Sequence, residues 1–194
     1  MQHPAFFADA APLDDPTELD VAAESATSVW TTLTDCPVIG QEKTNWCWIS
    51  VGQAIDHYYR KSSITQCQIA QAYQDYLGAP SCGPLCVNCT DSGELQDLLD
   101  SRKLFQEPIE LVIALALLQN EIKEPRRRPV CCHIRRPGGH FLVIYGFADD
   151  PPRVAIRDPA IEGDQWQVFD DFVEEYKNGG VWDQTYYTAD HAEN

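Results

Sequence analysis

The chain has 194 residues, 44% of them apolar, enough for one domain with a sizeable core or for two small lobes around a cleft, and too apolar for a chain disordered over most of its length. Its 30 Asp and Glu against 14 Lys and Arg leave a net charge of -16, which opposes binding to nucleic-acid phosphates, and no zinc-finger or helical basic-region pattern offsets it. The longest uncharged apolar run, Leu111 to Leu118, falls far short of the roughly 20 residues that a bilayer-spanning helix needs and reads as buried helix.

The first forty residues carry seven acids and no Lys or Arg, so the basic start and long apolar stretch of a secretory signal are missing. That points to the cytoplasm, whereas eight cysteines suit an oxidising compartment, and the two cues conflict. Residues 1–34 are rich in Ala, Asp, Pro and Thr without a sustained apolar period. They read as an acidic, flexible extension or a pro-segment, with the folded domain at 35–194 starting near Cys36. No internal repeat is present.

From Cys47 to Arg60 the residues Trp48, Val51, Ile55, Tyr58 and Tyr59 share one helical face, with Asn45 available as a cap. Thr65 and Gln68 have capping-box spacing and start a second helix, with Ile69, Tyr73 and Leu77 on one side and Gly78 as its stop. A third helix is expected after Asp91, with Glu94 three residues on and Leu95, Leu98 and Leu99 facing inward. Pro108 is expected to open a fourth, from about Ile109 to Ile122.

After Pro129 the pattern changes to short runs rich in β-branched and aromatic residues, separated by Pro and Gly turns. Val130 to Arg136, Phe141 to Phe147 and Val154 to Asp158 read as antiparallel strands. Gln165 to Phe169 and Val181 to Thr188 read as two more, flanking a short helix from Asp171 to Lys177. A helical lobe followed by a sheet lobe is an α+β arrangement with a cleft between the two.

Of the eight cysteines, Cys47 alone stands at an expected helix start. There, unpaired backbone N–H groups and the positive end of the helix dipole favour a thiolate, the form in which a cysteine attacks carbonyl carbon. Six residues earlier, Gln41 lies in an extended stretch. Its side-chain amide is suited to donate to the oxyanion of a tetrahedral intermediate beside the Cys47 backbone N–H, and such a donor is worth about 3–4 kcal/mol. His140 follows Pro137-Gly138-Gly139 at the start of an expected strand, where the glycines leave room for a substrate backbone. Asp158, at the end of the next strand and followed by Pro159, is placed to orient the imidazole. An Asp-Pro at a strand end is also an ordinary turn former.

The segments Gln41-Glu42-Lys43-Thr44-Asn45-Trp46-Cys47-Trp48, Gly138-Gly139-His140-Phe141-Leu142-Val143-Ile144-Tyr145-Gly146-Phe147 and Arg157-Asp158-Pro159 resemble the three catalytic motifs of papain-like cysteine peptidases. The likeness is greatest to compact bacterial members: the staphopains, the double-glycine leader peptidases and the injected effector proteases. It spans roughly Cys36 to Thr188. The resemblance implies a papain-like α+β fold with an N-terminal helical lobe and a C-terminal antiparallel β-sheet lobe. It also implies Cys47 as nucleophile, His140 as general base and acid, Asp158 as orienting residue and Gln41 as oxyanion donor. The reaction implied is hydrolysis of peptide bonds through a thioester acyl-enzyme, with no cofactor for the chemistry and a protein or peptide as substrate. Injected relatives add export as a leaderless effector to the expected locations. Two features depart from papain: Asp158 stands where papain has Asn, and Asn45-Trp46 replaces Gly-Ser before the cysteine, with the bulky Trp46 expected to narrow the cleft.

Two rival readings share these residues. A papain-fold transglutaminase or deamidase forms the same thioester on a Gln side chain, and an inactive papain-like fold serves as a binding module. Cys67, Cys82, Cys86 and Cys89 form a second cluster, compatible with a tetrahedral zinc, with disulfides or with free thiols. The resemblance favours loop staples there. Cys131-Cys132-His133 reads as core packing, because neighbouring strand residues point to opposite faces. His57 reads as a partly exposed or satisfied helix residue, while His3 and His191 fall in the tails. Arg126, Arg127, Arg128, Arg135 and Arg136 read either as a solvated loop and strand edge or as a docking site for the acidic N-terminal segment.

Overall fold

The structure is a computed structural model that describes residues 29–191 except 38, 90 and 91. Its elements run β1 (Trp30–Thr32), α1 (Cys47–Arg60), α2 (Gln66–Tyr76), a 3-10 turn (Pro84–Cys86), α3 (Leu95–Ser101), β2 (Phe105–Glu110), α4 (Leu115–Ile122), β3 (Val130–Arg135), β4 (His140–Asp149), β5 (Pro152–Arg157), β6 (Gln165–Val168), α5 (Phe169–Glu174) and β7 (Val181–Thr188). Seven strands form one antiparallel sheet in the order β2-β7-β3-β4-β5-β6, with β1 paired to β4 beyond the end of β3. Helices α1, α2 and α3 pack together, and α1 lies against β4. This is the expected α+β arrangement.

Helix α1 is the axle of the core. Cys47 through Ile55 are buried apart from Gln53, and Gly52 lets α3 approach so closely that a Cβ there would lie 2.5 Å from Leu98 Cδ2. Its cap position is Trp46, which makes no side-chain capping hydrogen bond, while Asn45 is exposed one residue outside. The Asn45 cap is therefore corrected. The Thr65–Gln68 capping box on α2 forms reciprocally, as its spacing requires. On α3, Leu95, Leu98 and Leu99 are fully buried; Glu94 occupies the cap position, and Asp91 lies outside the described residues.

Two expectations fail. The fourth helix does not run from Ile109: Phe105–Glu110 is instead an edge strand on β7, and the helix is only Leu115–Ile122. Pro108, which cannot donate a ladder hydrogen bond, sits at the register shift between Gln106 and Ile109, a position that an edge strand tolerates. The apolar run is consequently split. Leu111 is 77% exposed, whereas Leu118 and Ile122 are in the core. Folded structure also begins earlier than Cys36, because Trp30–Thr32 pairs with Gly146–Ala148 and Trp30 stacks on Trp166 at 4.1 Å between ring centroids. Residues 1–28 of the expected extension lie outside the described residues.

A buried carboxylate ties the helical lobe together. Asp56 on α1 is fully buried and accepts hydrogen bonds from Arg102 Nε at 2.9 Å and from the Ser62 hydroxyl, with Arg60 Nη1 at 3.6 Å. Removing one partner of a buried pair leaves a charge uncompensated, and Arg60 offsets only part of that loss. Arg102→Ala is expected to lower unfolding free energy by about 3 kcal/mol, read as a fall in the urea midpoint at unchanged m-value.

Candidate active site

Cys47 is the first residue of α1, so its backbone N–H has no acceptor four residues back within the helix. The packing of α1 on β4 carries this helix end to the start of β4, where His140 stands. The turn before His140 closes through Gly139 N–H donating to Arg136 O at 2.8 Å, with Gly138 and Gly139 at φ +86° and +62°. A Cβ at Gly139 would lie 2.8 Å from His133 Nε2, so both the backbone angle and the close approach call for glycine. The His140 ring is buried, with Nε2 2.6 Å from Asp158 Oδ1, and it shares the cleft wall with Cys47. With Nε2 so engaged, Nδ1 is left for the thiol.

Asp158 follows the last residue of β5 and is buried. Besides His140, its carboxylate accepts from Ala160 N–H at 2.9 Å and from the Tyr176 hydroxyl at 2.7 Å, with Lys177 Nζ at 3.7 Å. Burial alone would raise the Asp158 pKa, but the hydrogen bond and charge of His140, with the Tyr176 and Ala160 donors, outweigh it and hold the carboxyl down at about 2. Burial alone would likewise lower the His140 pKa. Its hydrogen bond to Asp158 and the influence of the Asp158 and Cys47 side chains prevail, so the imidazole is raised above its ordinary value. Tyr176 was not foreseen from sequence. It is placed after α5 by a bridge to Gly180 and by aromatic packing on Phe172, which itself stacks on Trp182.

Cys47 and His140 face a cleft of about 790 Å³, lined on the helical side by Gln41, Cys47 and Trp48 and on the sheet side by Arg136, Gly139 and His140, with Asp158 buried behind the ring. Gln41 belongs to this wall, but its amide nitrogen donates to Lys43 O at 2.9 Å and to Thr44 O. The Gln41 segment is clamped by buried Gln66, which donates to Gly40 O at 2.7 Å and accepts from Glu42 N–H at 2.9 Å. It is also tied to the Asp158 loop, because Gln41 N–H donates to Pro159 O at 3.0 Å. Trp46 does not narrow the cleft. It is buried, with the Lys43 ammonium 4.2 Å over its ring. Trp48 is the tryptophan that lines the cleft, and Gly93 lies on it so closely that a Cβ would meet its ring at 2.5 Å.

The other sequence candidates lie elsewhere. Cys36, Cys131 and Cys132 are free but fully enclosed; burial pushes the Cys36 thiol up to about 12 and the other two well above the ordinary range. Cys47 is the free cysteine that lines the cleft. Cys67–Cys86 and Cys82–Cys89 are disulfides. His133 is half-buried rather than in the core, with Nδ1 2.7 Å from Asp183 Oδ1, and His57 Nδ1 lies 2.9 Å from Ser62 O. The arginine run is largely paired locally: Arg126 with Glu121, Arg127 with Glu124 and Arg135 with Asp183. Tail docking falls on residues outside the description. Among the described residues, no helix is long and apolar enough to cross a membrane.

A carboxyl whose pKa is depressed on folding contributes stability that is present above its unfolded value and lost as pH falls through the folded one. The Asp158 contribution is therefore present above about 4 and fades towards about pH 2. Asp158→Asn is expected to be less stable than the parent at neutral pH and to show a shallower loss of stability across that acid window, measured by urea denaturation at stepped pH.

The family model described as papain-like cysteine protease AvrRpt2 matches residues 31–177. No curated protein matches the chain. With the match spanning β1 to the loop after α5, the chain belongs to this family of papain-like cysteine proteases: it is a cysteine peptidase, a hydrolase whose substrates are proteins.

Proposed function

We propose that Cys47 is the nucleophile of this peptidase, His140 its general base and acid, Asp158 the residue that orients the imidazole, and Gln41 with the Cys47 N–H the oxyanion donors. The observation that carries the proposal is that Cys47 and His140 share the wall of one cleft while the buried Asp158 holds the far nitrogen of the His140 ring. His140 takes the Cys47 proton on Nδ1 and the sulfur attacks the scissile carbonyl carbon. The resulting oxyanion meets the N–H groups at the start of α1. His140 then protonates the departing amine, leaving a thioester. Water, deprotonated by the same nitrogen, hydrolyses it and restores the thiol.

Asp158, with Tyr176 and Ala160 occupying its remaining acceptor positions, keeps Nε2 of His140 fixed so that Nδ1 stays on the sulfur side. Gln41 reaches the oxyanion after its amide leaves Thr44 O, a rotation within the same loop. Residues before β1 are read as an acidic extension or pro-segment of this peptidase domain.

Mass spectrometry of a peptide library is the direct test. Backbone cleavage is expected with the parent and none with Cys47→Ala or His140→Ala; cleavage retained by purified Cys47→Ala would falsify the assignment. A mass change at Gln side chains without backbone scission would replace hydrolysis of peptide bonds with amide transfer or deamidation. Gln41→Ala is expected to lower kcat by about 10²–10³ with little change in KM, the signature of a donor used in the transition state.

A further inference from the structure

Three cysteines of the helical lobe cluster at one point, and a fourth is bonded to one of them. The sulfurs of Cys82, Cys86 and Cys89 lie within 4.8 Å of one another, and Cys67 is bonded to Cys86. Two separate disulfides require no such convergence. A tetrahedral zinc with thiolates at about 2.3 Å places its sulfurs about 3.8 Å apart, so three of the sulfurs already lie within reach of one ion, and reduction frees Cys67 beside Cys86 as the fourth ligand. We propose that, when reduced, Cys67, Cys82, Cys86 and Cys89 bind one zinc ion as a structural tetrathiolate site, and that the disulfides Cys67–Cys86 and Cys82–Cys89 are the oxidised, metal-free state of the same cluster.

The surroundings suit thiolates. Cys67 lies in the first turn of α2, where the unpaired N–H groups and helix dipole favour negative charge. Cys86-Val87-Asn88-Cys89 is a two-spacer turn in which Cys89 N–H donates to Cys86 O at 3.3 Å. Lys43 Nζ donates to Cys86 O at 2.6 Å, setting a cation beside a cluster that would carry two net negative charges. Gln74 Oε1, on a buried side chain of α2, lies 2.9 Å from the Cys82 sulfur; turned over about its terminal bond, the same amide would donate its nitrogen to a metal-bound sulfur. Cys82, Cys86 and Cys89 are themselves buried, which favours a closed structural site without an open coordination position.

The same loop reaches the cleft. Lys43 joins it to the Gln41 segment, and the chain leaving Cys89 returns to the cleft wall at Ser92 and Gly93. The site thus braces one wall of the cleft in either state.

The conversion balances. A dithiol reductant supplies two electrons to each disulfide and becomes a cyclic disulfide itself, giving four thiols. These lose four protons to buffer as the zinc–sulfur bonds form.

The test uses the full chain, reduced anaerobically with a dithiol, exposed to a small excess of zinc and freed of unbound metal by gel filtration. About one zinc per chain should be retained, and cobalt in its place should show the thiolate charge-transfer absorption of a four-sulfur tetrahedral site. Retention should persist in Cys47→Ala, which removes the thiol of the cleft, and disappear in Cys82→Ser and Cys89→Ser; Gln74→Ala should weaken affinity by about tenfold. A reduced parent chain that retains no zinc while all eight thiols titrate overturns the proposal, whatever the folding of the serine variants. So does loss of the zinc in Cys47→Ala, or a cobalt spectrum without four thiolates.

Discussion

His140 Nε2 and Asp158 Oδ1 face each other at 2.6 Å in a place where both side chains are almost wholly removed from water. A carboxylate in that position is expensive unless it is well supplied with donors, and here the ring, the Ala160 N–H and the Tyr176 hydroxyl supply three, with the Lys177 ammonium nearby. That requirement reaches outward through the fold. The Asp158 loop holds the Gln41 segment through Pro159, and Tyr176 must be delivered by α5 and the turn before β7. The imidazole must also start β4 in register with Ile134 of β3. Cys47 completes the set only because α1 lies against that same strand.

Rigid elements carry the residues whose position matters most, and short turns carry those that must fit around a substrate. Cys47 and His140 begin a helix and a strand buried along most of their length, whereas Gly93 and Gly139 make the close backbone approaches that leave the cleft open. The Gln41 segment depends on Gln66, whose buried amide bonds the backbone on both sides of it. The Cys67–Cys89 cluster belongs to this support, since Lys43 links it to that segment.

Local chemistry was legible wherever one stretch of chain decides its own structure. The face of α1, the Thr65–Gln68 box and the strand Val181–Thr188 follow from periodicity and capping alone. The stretch from Phe105 to Ile122 was misread because Pro108 ahead of an apolar run has the pattern of a helix start. What makes it a strand is hydrogen bonding to β7, more than seventy residues on. Likewise Trp30–Thr32 looks like part of a polar tail until β4 offers it an edge.

The sequence by itself determined the chemical kinds and their order: a helix-start cysteine, a histidine after paired glycines, an aspartate at a strand end and a glutamine six residues before the cysteine. Spacing within a segment and side-chain type carry that information without reference to any neighbour. Only the tertiary structure decided that Tyr176 closes the carboxylate, that Trp46 turns into the core while Trp48 lines the cleft, and that the Gln41 amide rests on Lys43 and Thr44 carbonyls. Those outcomes depend on which buried polar groups find partners once distant segments meet, and the energy of such pairing belongs to the assembled interior rather than to any one stretch of chain.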